Sequence, residues 1–498
     1  MYPAPRRGSR AGHQAGVGRP GRAEIRRERD RVDDAVNEND TRSPGLRSLL
    51  DRLRSRDISP AEAVGETARK VEALPKELNP FMCVDFDLAL DRARQMTTPT
   101  ASELPLYGLP MSMKDLEPTA DLPTTFGAAF VDSRAPRADG SLAARLRAAG
   151  CVIFGKTSTP AFGHKDVTDN LITGATRNPW NPALTSGGSS GGAAVLVATG
   201  VSPVAHGTDA AGSVRMPAAL CGVAGFKPSY GRLPRLPASD LWAARGHHGF
   251  LARSIEDLRI CMDAVAGGDP RDPLAPSDPV WDTAPPREPR GQIALVDSLF
   301  GQEVDRGVAA LLRRVGDMLS DAGIVVKSPD IRWSDPVAWA NVWHTAHEHH
   351  HFGETYRRNP ELFSPSHAAM IEAGRQVGAS DLFMVQERRS TLHLQATEFI
   401  DAYDFVLTPT LPRTAWPFDD DHPTINAKTV EYGPGGRWAD VLLANLTGWP
   451  AVSIPCGFVD GLPVGLQIIA PWRADGPCLD FAQNLEQILT PLTSTTLG

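Results

Sequence analysis

The sequence predicts an α/β protein, because stretches with helical periodicity alternate with short apolar runs rich in the β-branched and aromatic residues that suit strands. One such run, Cys151-Val152-Ile153-Phe154, follows the helical stretch 141–149. Three more close the chain: Phe405–Leu407 before Thr408-Pro409, Ala451–Ile454 before Pro455, and Val464–Ile469. Runs this apolar are expected as strands buried in one sheet.

Along the chain, residues 1–42 carry Arg6, Arg7, Arg10, Arg19 and Arg22 with almost no large apolar side chain, so a disordered tail is expected there. Leu46, Leu49, Leu50 and Leu53 then recur at helical spacing. Ser59-Pro60-Ala61-Glu62 follows with a capping serine, proline at the first helical position and glutamate three residues on. Two helices are therefore expected to open a single large domain, 43–498. An irregular polar stretch runs to Gly192 and gives way to an apolar helix, Ala193–Thr199. Residues 270–400 are more helical and less regular, and are expected to form a cap over a pocket.

Composition narrows the partners. The chain has 498 residues, 41% hydrophobic and 22% charged, with a net charge of −8. Its arginines are scattered among acids, which argues against a nucleic-acid surface and for small neutral partners. Cys83, Cys151, Cys221, Cys261, Cys456 and Cys478 form no CxxC pair, so reduced thiols in a cytoplasm are expected rather than zinc or a disulfide framework. No apolar stretch reaches membrane-spanning length and the N-terminus has no apolar signal core, so a soluble, unsecreted protein without a membrane partner is expected.

The densest chemical signal is a pair of Gly-Ser loops flanking one helix: Ser186-Gly187-Gly188-Ser189-Ser190-Gly191-Gly192, then Gly207-Thr208-Asp209-Ala210-Ala211-Gly212-Ser213-Val214-Arg215. Upstream, Lys114 ends the mostly apolar segment Gly108-Leu109-Pro110-Met111-Ser112-Met113. A lysine desolvated there would lose its proton readily, since burial disfavours the ammonium, and a neutral amine is a usable base.

These residues resemble the amidase signature family, over a span from about residue 43 to the C-terminus. The match includes Asn178-Pro179-Trp180-Asn181, Pro217-Ala218-Ala219-Leu220-Cys221-Gly222, Gly448-Trp449-Pro450-Ala451 and Gly461-Leu462-Pro463-Val464-Gly465-Leu466-Gln467. The spacing from Lys114 to Ser189 and from Ser189 to Ser213 also follows the family pattern. The resemblance implies a mixed, twisted β-sheet covered by helices on both sides, with Lys114 as base, Ser189 as a bridging serine on a cis peptide and Ser213 as nucleophile. It implies oxyanion donors at the backbone N–H groups of Ala210, Ala211 and Gly212, joined by Ser213 itself; the family more often has glycine at position 211. The implied reaction is hydrolysis of a carboxylic amide through an acyl-enzyme, without metal or organic cofactor. Ser202-Pro203-Val204-Ala205-His206-Gly207 with the loop after it looks most like nylon-oligomer cyclic-dimer hydrolases and broad amidases, which implies a linear or cyclic amide of modest size. Urethane hydrolysis, an amidotransferase subunit supplying ammonia to a partner, and a homodimer stay open under the same resemblance.

Two other motifs compete. Gly150-Cys151-Val152-Ile153-Phe154-Gly155-Lys156-Thr157 satisfies the phosphate-loop pattern, but its centre reads as a strand and Ser158-Thr159-Pro160 follows instead of a helix. Gly188-Ser189-Ser190-Gly191-Gly192 fits the nucleophile elbow, but Asn181-Pro182-Ala183-Leu184-Thr185-Ser186 is a poor strand to precede one. Finally, His344, His347, His349, His350 and His351 include pairs at metal-binding spacing, although a cap-lining helix accounts for them more simply. His247 and His248 are expected in a loop near the site. Asp209 and Arg215 are expected to pair and hold the nucleophile loop.

Overall fold

Alternation along the buried strands decides the architecture. In the computed structural model, which describes residues 45–97, 104–238, 240–241, 245–275, 281–282, 288–430 and 437–494, Val452, Leu407, Ile468 and Ile293 join one apolar cluster. Their neighbours Ala451, Val406, Ile469 and Ala294 join another. Successive side chains of a strand point to opposite faces, so each of these runs feeds two cores at once. Helices Ile255–Val265, Arg306–Asp321 and Asp475–Thr493 supply the first cluster, and Val337–Arg358, Ala379–Ile400 and Ala439–Thr447 the second. The sheet is thus covered on both sides, as expected.

Apart from two short two-stranded ribbons, at Asp169–Asn170 with Gly174–Ala175 and Thr424–Ile425 with Lys428–Thr429, the strands among the described residues fall into a small sheet and a large one. The small sheet holds β1 (Phe81–Val84), β2 (Pro110–Lys114) and β3 (Val152–Thr157), with β3 in the middle, antiparallel to β1 and parallel to β2. The large sheet contains β4 (Val204–Asp209), β5 (Ala224–Lys227), β6 (His247–Ala252), β7 (Gln292–Leu295), β8 (Val325–Lys327), β9 (Val406–Pro409), β10 (Ala451–Val459) and β11 (Leu462–Ile469). Its order is β8-β7-β9-β11-β10-β5-β6-β4, parallel at the β8-β7-β9 edge and antiparallel elsewhere. Thirteen α-helices complete the described residues.

Local chemistry places several of these elements. Ser59 Oγ accepts from Glu62 N–H at 3.2 Å while Glu62 Oε2 accepts from Ser59 N–H at 2.7 Å, so the reciprocal cap read in the sequence starts helix Pro60–Ala73. β10 continues past Pro455 because the register shifts between Pro455 and Gly457, and a bulge tolerates a residue with no N–H to offer.

Other expectations move. The strand read as Cys151–Phe154 runs Val152–Thr157, which places Gly155-Lys156-Thr157 inside a buried strand and removes the phosphate-loop reading. β7 and β8 belong to the large sheet, so the stretch 270–400 is not a cap throughout; among its described residues, helix Val337–Arg358 is the part that lines the cavity described below. His247 and His248 lie in β6 rather than in a loop. The tail expected over 1–42 lies outside the described residues. All six cysteines are unpaired, and no helix among the described residues is long and apolar enough to cross a membrane.

Replacing a core residue should be costly here. Ile468→Ala, at a fully buried position, is expected to lower unfolding free energy by about 2–5 kcal/mol in urea titration. Leu394→Ala, on an exposed helix face, should change it by no more than about 0.5 kcal/mol.

Candidate active site

Three strand and loop ends converge on Lys114. In β2, Met111 and Met113 point into the apolar core, so the alternating Ser112 and Lys114 face the other way. Lys114 Nζ there lies 2.7 Å from Ser189 Oγ, 2.9 Å from Ser190 Oγ and 3.0 Å from Thr208 Oγ1. The side chain is completely buried, and burial drives its pKa well below the ordinary lysine value although the nearby Asp209 charge opposes the shift. A neutral amine has two N–H donors and one lone pair. With two hydroxyls available as acceptors, the lone pair remains for a proton from Ser189.

Ser189 is held by its loop. The Gly188–Ser189 peptide is cis. A Cβ on Gly188 would stand 2.8 Å from backbone atoms of residues 165–167, so no other residue fits. Ser190 N–H donates to Ser213 O at 3.2 Å, which ties the two Gly-Ser loops together. Immediately after, the buried apolar helix Gly191–Ala198 begins.

The second loop folds around one carboxylate. Asp209 Oδ1 accepts from Gly212 N–H at 2.8 Å and Oδ2 from Val214 N–H at 3.1 Å, while Arg215 approaches both oxygens at 3.0 Å. Asn445 donates to the same Oδ1 at 2.9 Å and accepts from Arg215 at 2.6 Å, and Gln467 on β11 also accepts from Arg215. Burial opposes the carboxylate charge, but Arg215 outweighs it and holds Asp209 below the usual carboxylate range. The expected Asp209–Arg215 pair is therefore present. The Gly212 N–H is already taken by Asp209, so of the expected oxyanion donors those of Ala210, Ala211 and Ser213 carry no such bond to Asp209.

Ser189 and Ser213 open into one cavity of about 1350 Å³ including its mouth. Phe126 and Phe162 form one wall, stacked at 5.6 Å and joined by a Phe162 N–H donating to Phe126 O at 2.7 Å. Both have positive φ, 55° and 51°. Asp115, next to Lys114, accepts from Thr125 N–H, Thr125 Oγ1 and Gly127 N–H, which fixes the Phe126 turn. Helix Val337–Arg358 supplies the facing wall through Trp343, His344, His347 and Glu348. Of the histidine cluster, His344 and His347 approach Glu348 Oε1 at 3.8 and 3.6 Å, and His367 lies 2.8 Å from Oε2. Although burial opposes its charge, these imidazoles hold Glu348 below the usual range.

Sequence reasoning missed Ser190 and Thr208 as neighbours of Lys114. Both sit inside the two Gly-Ser motifs, and the period-2 spacing of His206 and Thr208 in β4 was the signal that could have found them. His206 accepts the Lys114 backbone N–H through Nδ1 at 3.2 Å.

A family model described as Amidase matches residues 62–479. An acylamidase from Rhodococcus erythropolis is 32% identical over 456 residues, covering 87% of this chain and 93% of its own length. The A-type subunit of a glutamyl-tRNA(Gln) amidotransferase from Pseudomonas syringae pv. syringae (strain B728a) is 31% identical over 477 residues, covering 89% and 97%. Among solved structures, a bacterial aryl acylamidase superimposes with a TM-score of 0.82 at 26% identity, covering 91% of this chain and 98% of that one. A 6-aminohexanoate cyclic dimer hydrolase complexed with substrate does so with a TM-score of 0.78 at 26% identity, covering the same shares.

Two outcomes follow from these charges. Arg215→Met strands the Asp209 carboxylate and should destabilise the protein by about 3–5 kcal/mol in urea unfolding. For Lys114 the sign is opposite to that of an ordinary ion pair. The unfolded chain holds the lysine proton up to about pH 10.5 whereas the folded chain releases it at a lower pH, so wild-type stability rises with pH across that window. Lys114→Met lacks this dependence, and the stability difference between variant and wild type should shift in favour of wild type from pH 7 to pH 10.

Proposed function

This chain belongs to the amidase family, and we propose that it cleaves small carboxylic amides through an acyl-enzyme on Ser213, with Ser189 relaying the proton to Lys114. Hydrolysis of an amide carbon–nitrogen bond is its activity; the division of labour among the three residues is our reading. What carries it is the fully buried Lys114 amine 2.7 Å from Ser189 Oγ, with Ser189 and Ser213 opening into the same cavity.

The steps balance as follows. Ser213 passes its hydroxyl proton to Ser189 as Ser189 passes its own to Lys114 Nζ, and Ser213 Oγ adds to the amide carbonyl carbon. The resulting oxyanion takes hydrogen bonds from the N–H groups of Ala210, Ala211 and Ser213, whose loop the Asp209–Arg215 pair has already shaped. Collapse breaks the carbon–nitrogen bond, and the proton held on Lys114 returns through Ser189 to the leaving nitrogen. Water then repeats the sequence on the ester, releasing the acid and restoring Ser213.

The acyl side is expected to be apolar. Phe126, Phe162 and Trp343 support this, as does the likeness to an acylamidase, an aryl acylamidase and a cyclic dimer hydrolase. The six unpaired cysteines support a cytoplasmic setting. A second reading, ammonia supply to a partner enzyme, draws on the full-length likeness to the amidotransferase relatives. Hydrolysis of aliphatic, aryl and cyclic amides or carbamates by the purified chain alone favours the first reading; activity only with an added partner favours the second.

Ser213→Ala should abolish both turnover and labelling by a fluorophosphonate probe, and persistent labelling would refute the assignment. Lys114→Ala should lower kcat by about 10² to 10⁴ at neutral pH. Because the base is the neutral amine, wild-type kcat/KM should fall as pH drops through the lowered Lys114 pKa. A profile flat down to pH 5 would count against a lysine base.

A further inference from the structure

A chain of two imidazoles runs from the Lys114 backbone to the cavity, and its proton positions follow from elementary rules. The Lys114 backbone N–H can only donate, so His206 Nδ1 accepts at 3.2 Å and the His206 proton sits on Nε2. His206 Nε2 is 3.0 Å from His248 Nδ1, which must then accept. The His248 proton is left on Nε2. Both rings are neutral, since burial lowers His206 well below 6.5 and His248 to about 3. His248 is thus fixed as an N–H donor, and it lines the cavity while only 4% exposed.

Among the described residues, that donor lacks a protein acceptor at bonding distance. Glu117 Oε2 stands 3.6 Å from His248 Nε2, beyond hydrogen-bonding reach. Glu117 cannot close the gap freely, because its Oε1 accepts the N–H groups of Leu142 and Ala143 at 3.0 and 3.1 Å at the start of helix Ser141–Ala148. Glu117 is itself 3% exposed and lines the same wall. The result is a buried donor and a buried acceptor side by side, too far apart to satisfy each other and both turned to the space where substrate enters.

We propose that His248 and Glu117 form a subsite for a second, uncleaved primary carboxamide of the substrate, His248 Nε2–H donating to its carbonyl and Glu117 Oε2 accepting the N–H on the same side. One neutral group bridging the pair supplies what each lacks. A carboxylate would set its charge against Glu117, and an ammonium would offer the His248 N–H no acceptor. The inference rests on the reading of Ser213 as nucleophile and extends it to the substrate class: diamides carrying a second primary carboxamide, in preference to monoamides.

The test compares succinamide through suberamide, each against the monoamide of equal chain length, by ammonia release from the full chain. Wild type should favour one diamide by about tenfold in kcat/KM, expressed through KM, beyond the statistical factor of about two for two equivalent ends. His248→Phe and, separately, Glu117→Gln should each bring that ratio down to about two. Fluorophosphonate labelling of Ser213 in each variant measures any effect transmitted through Lys114, which would lower both substrates together. A wild-type ratio of two for every length, or equal losses on both substrates in both variants, would overturn the subsite while leaving the triad in place. Absence of both turnover and labelling in wild type would instead overturn the nucleophile reading, and the subsite with it.

Discussion

The buried ion pair between Asp209 and Arg215 is the constraint on which the rest of the site depends. A carboxylate taken out of water is tolerated only when its lone pairs are filled, and here Arg215, Asn445 and two backbone N–H groups fill them. In filling them, those groups bend the chain between β4 and the following helix into the loop that presents Ser213. The same guanidinium reaches Asn445 on helix Ala439–Thr447 and Gln467 on β11. The nucleophile loop is therefore anchored to both the large sheet and one of its covering layers, and its shape is set before any substrate arrives.

Lys114 represents the opposite use of burial. Among the described residues, nothing neutralises its amine with a direct carboxylate partner at hydrogen-bonding distance; three hydroxyls surround it instead. Such an environment accepts the uncharged amine and resists the ammonium, which makes the lysine a base and costs the fold stability. Lys156, one strand away, shows what changes with a neighbour of opposite sign. It is just as buried, but it lies 3.6 Å from Asp115 and donates to Glu117 O and Thr124 Oγ1, serving the turn that carries Phe126.

What the sequence made legible follows the physics of each segment. Apolar runs at 405–407, 451–454 and 464–469 were visible because both faces of those strands are buried in hydrocarbon. β4 and β6 escaped notice because their buried residues include His206, His247 and His248 beside Thr208, which read as a loop until the fold supplies their partners. The motif residues Lys114, Ser189 and Ser213 could be named from spacing, but the occupation of the Gly212 N–H by Asp209 could not, since it depends on a side chain folding back three residues. The histidines on helix Val337–Arg358 suggested metal spacing, but the sequence did not show that two of them, His344 and His347, turn to the Glu348 carboxylate.

The paired turns at Phe126 and Phe162 have a consequence for how this cavity could change over time. Each aromatic ring is displayed from a left-handed backbone, each turn is bonded to the other, and one of them hangs from the residue next to the base. Any drift in that wall would be felt at the proton acceptor, so it is a poor place for new specificities to arise. Among the described residues, helix Val337–Arg358 has no such tether to Lys114. Divergence in what the enzyme accepts is then channelled to one side of the cavity, and a collection of relatives should vary across the helix while keeping the paired turns.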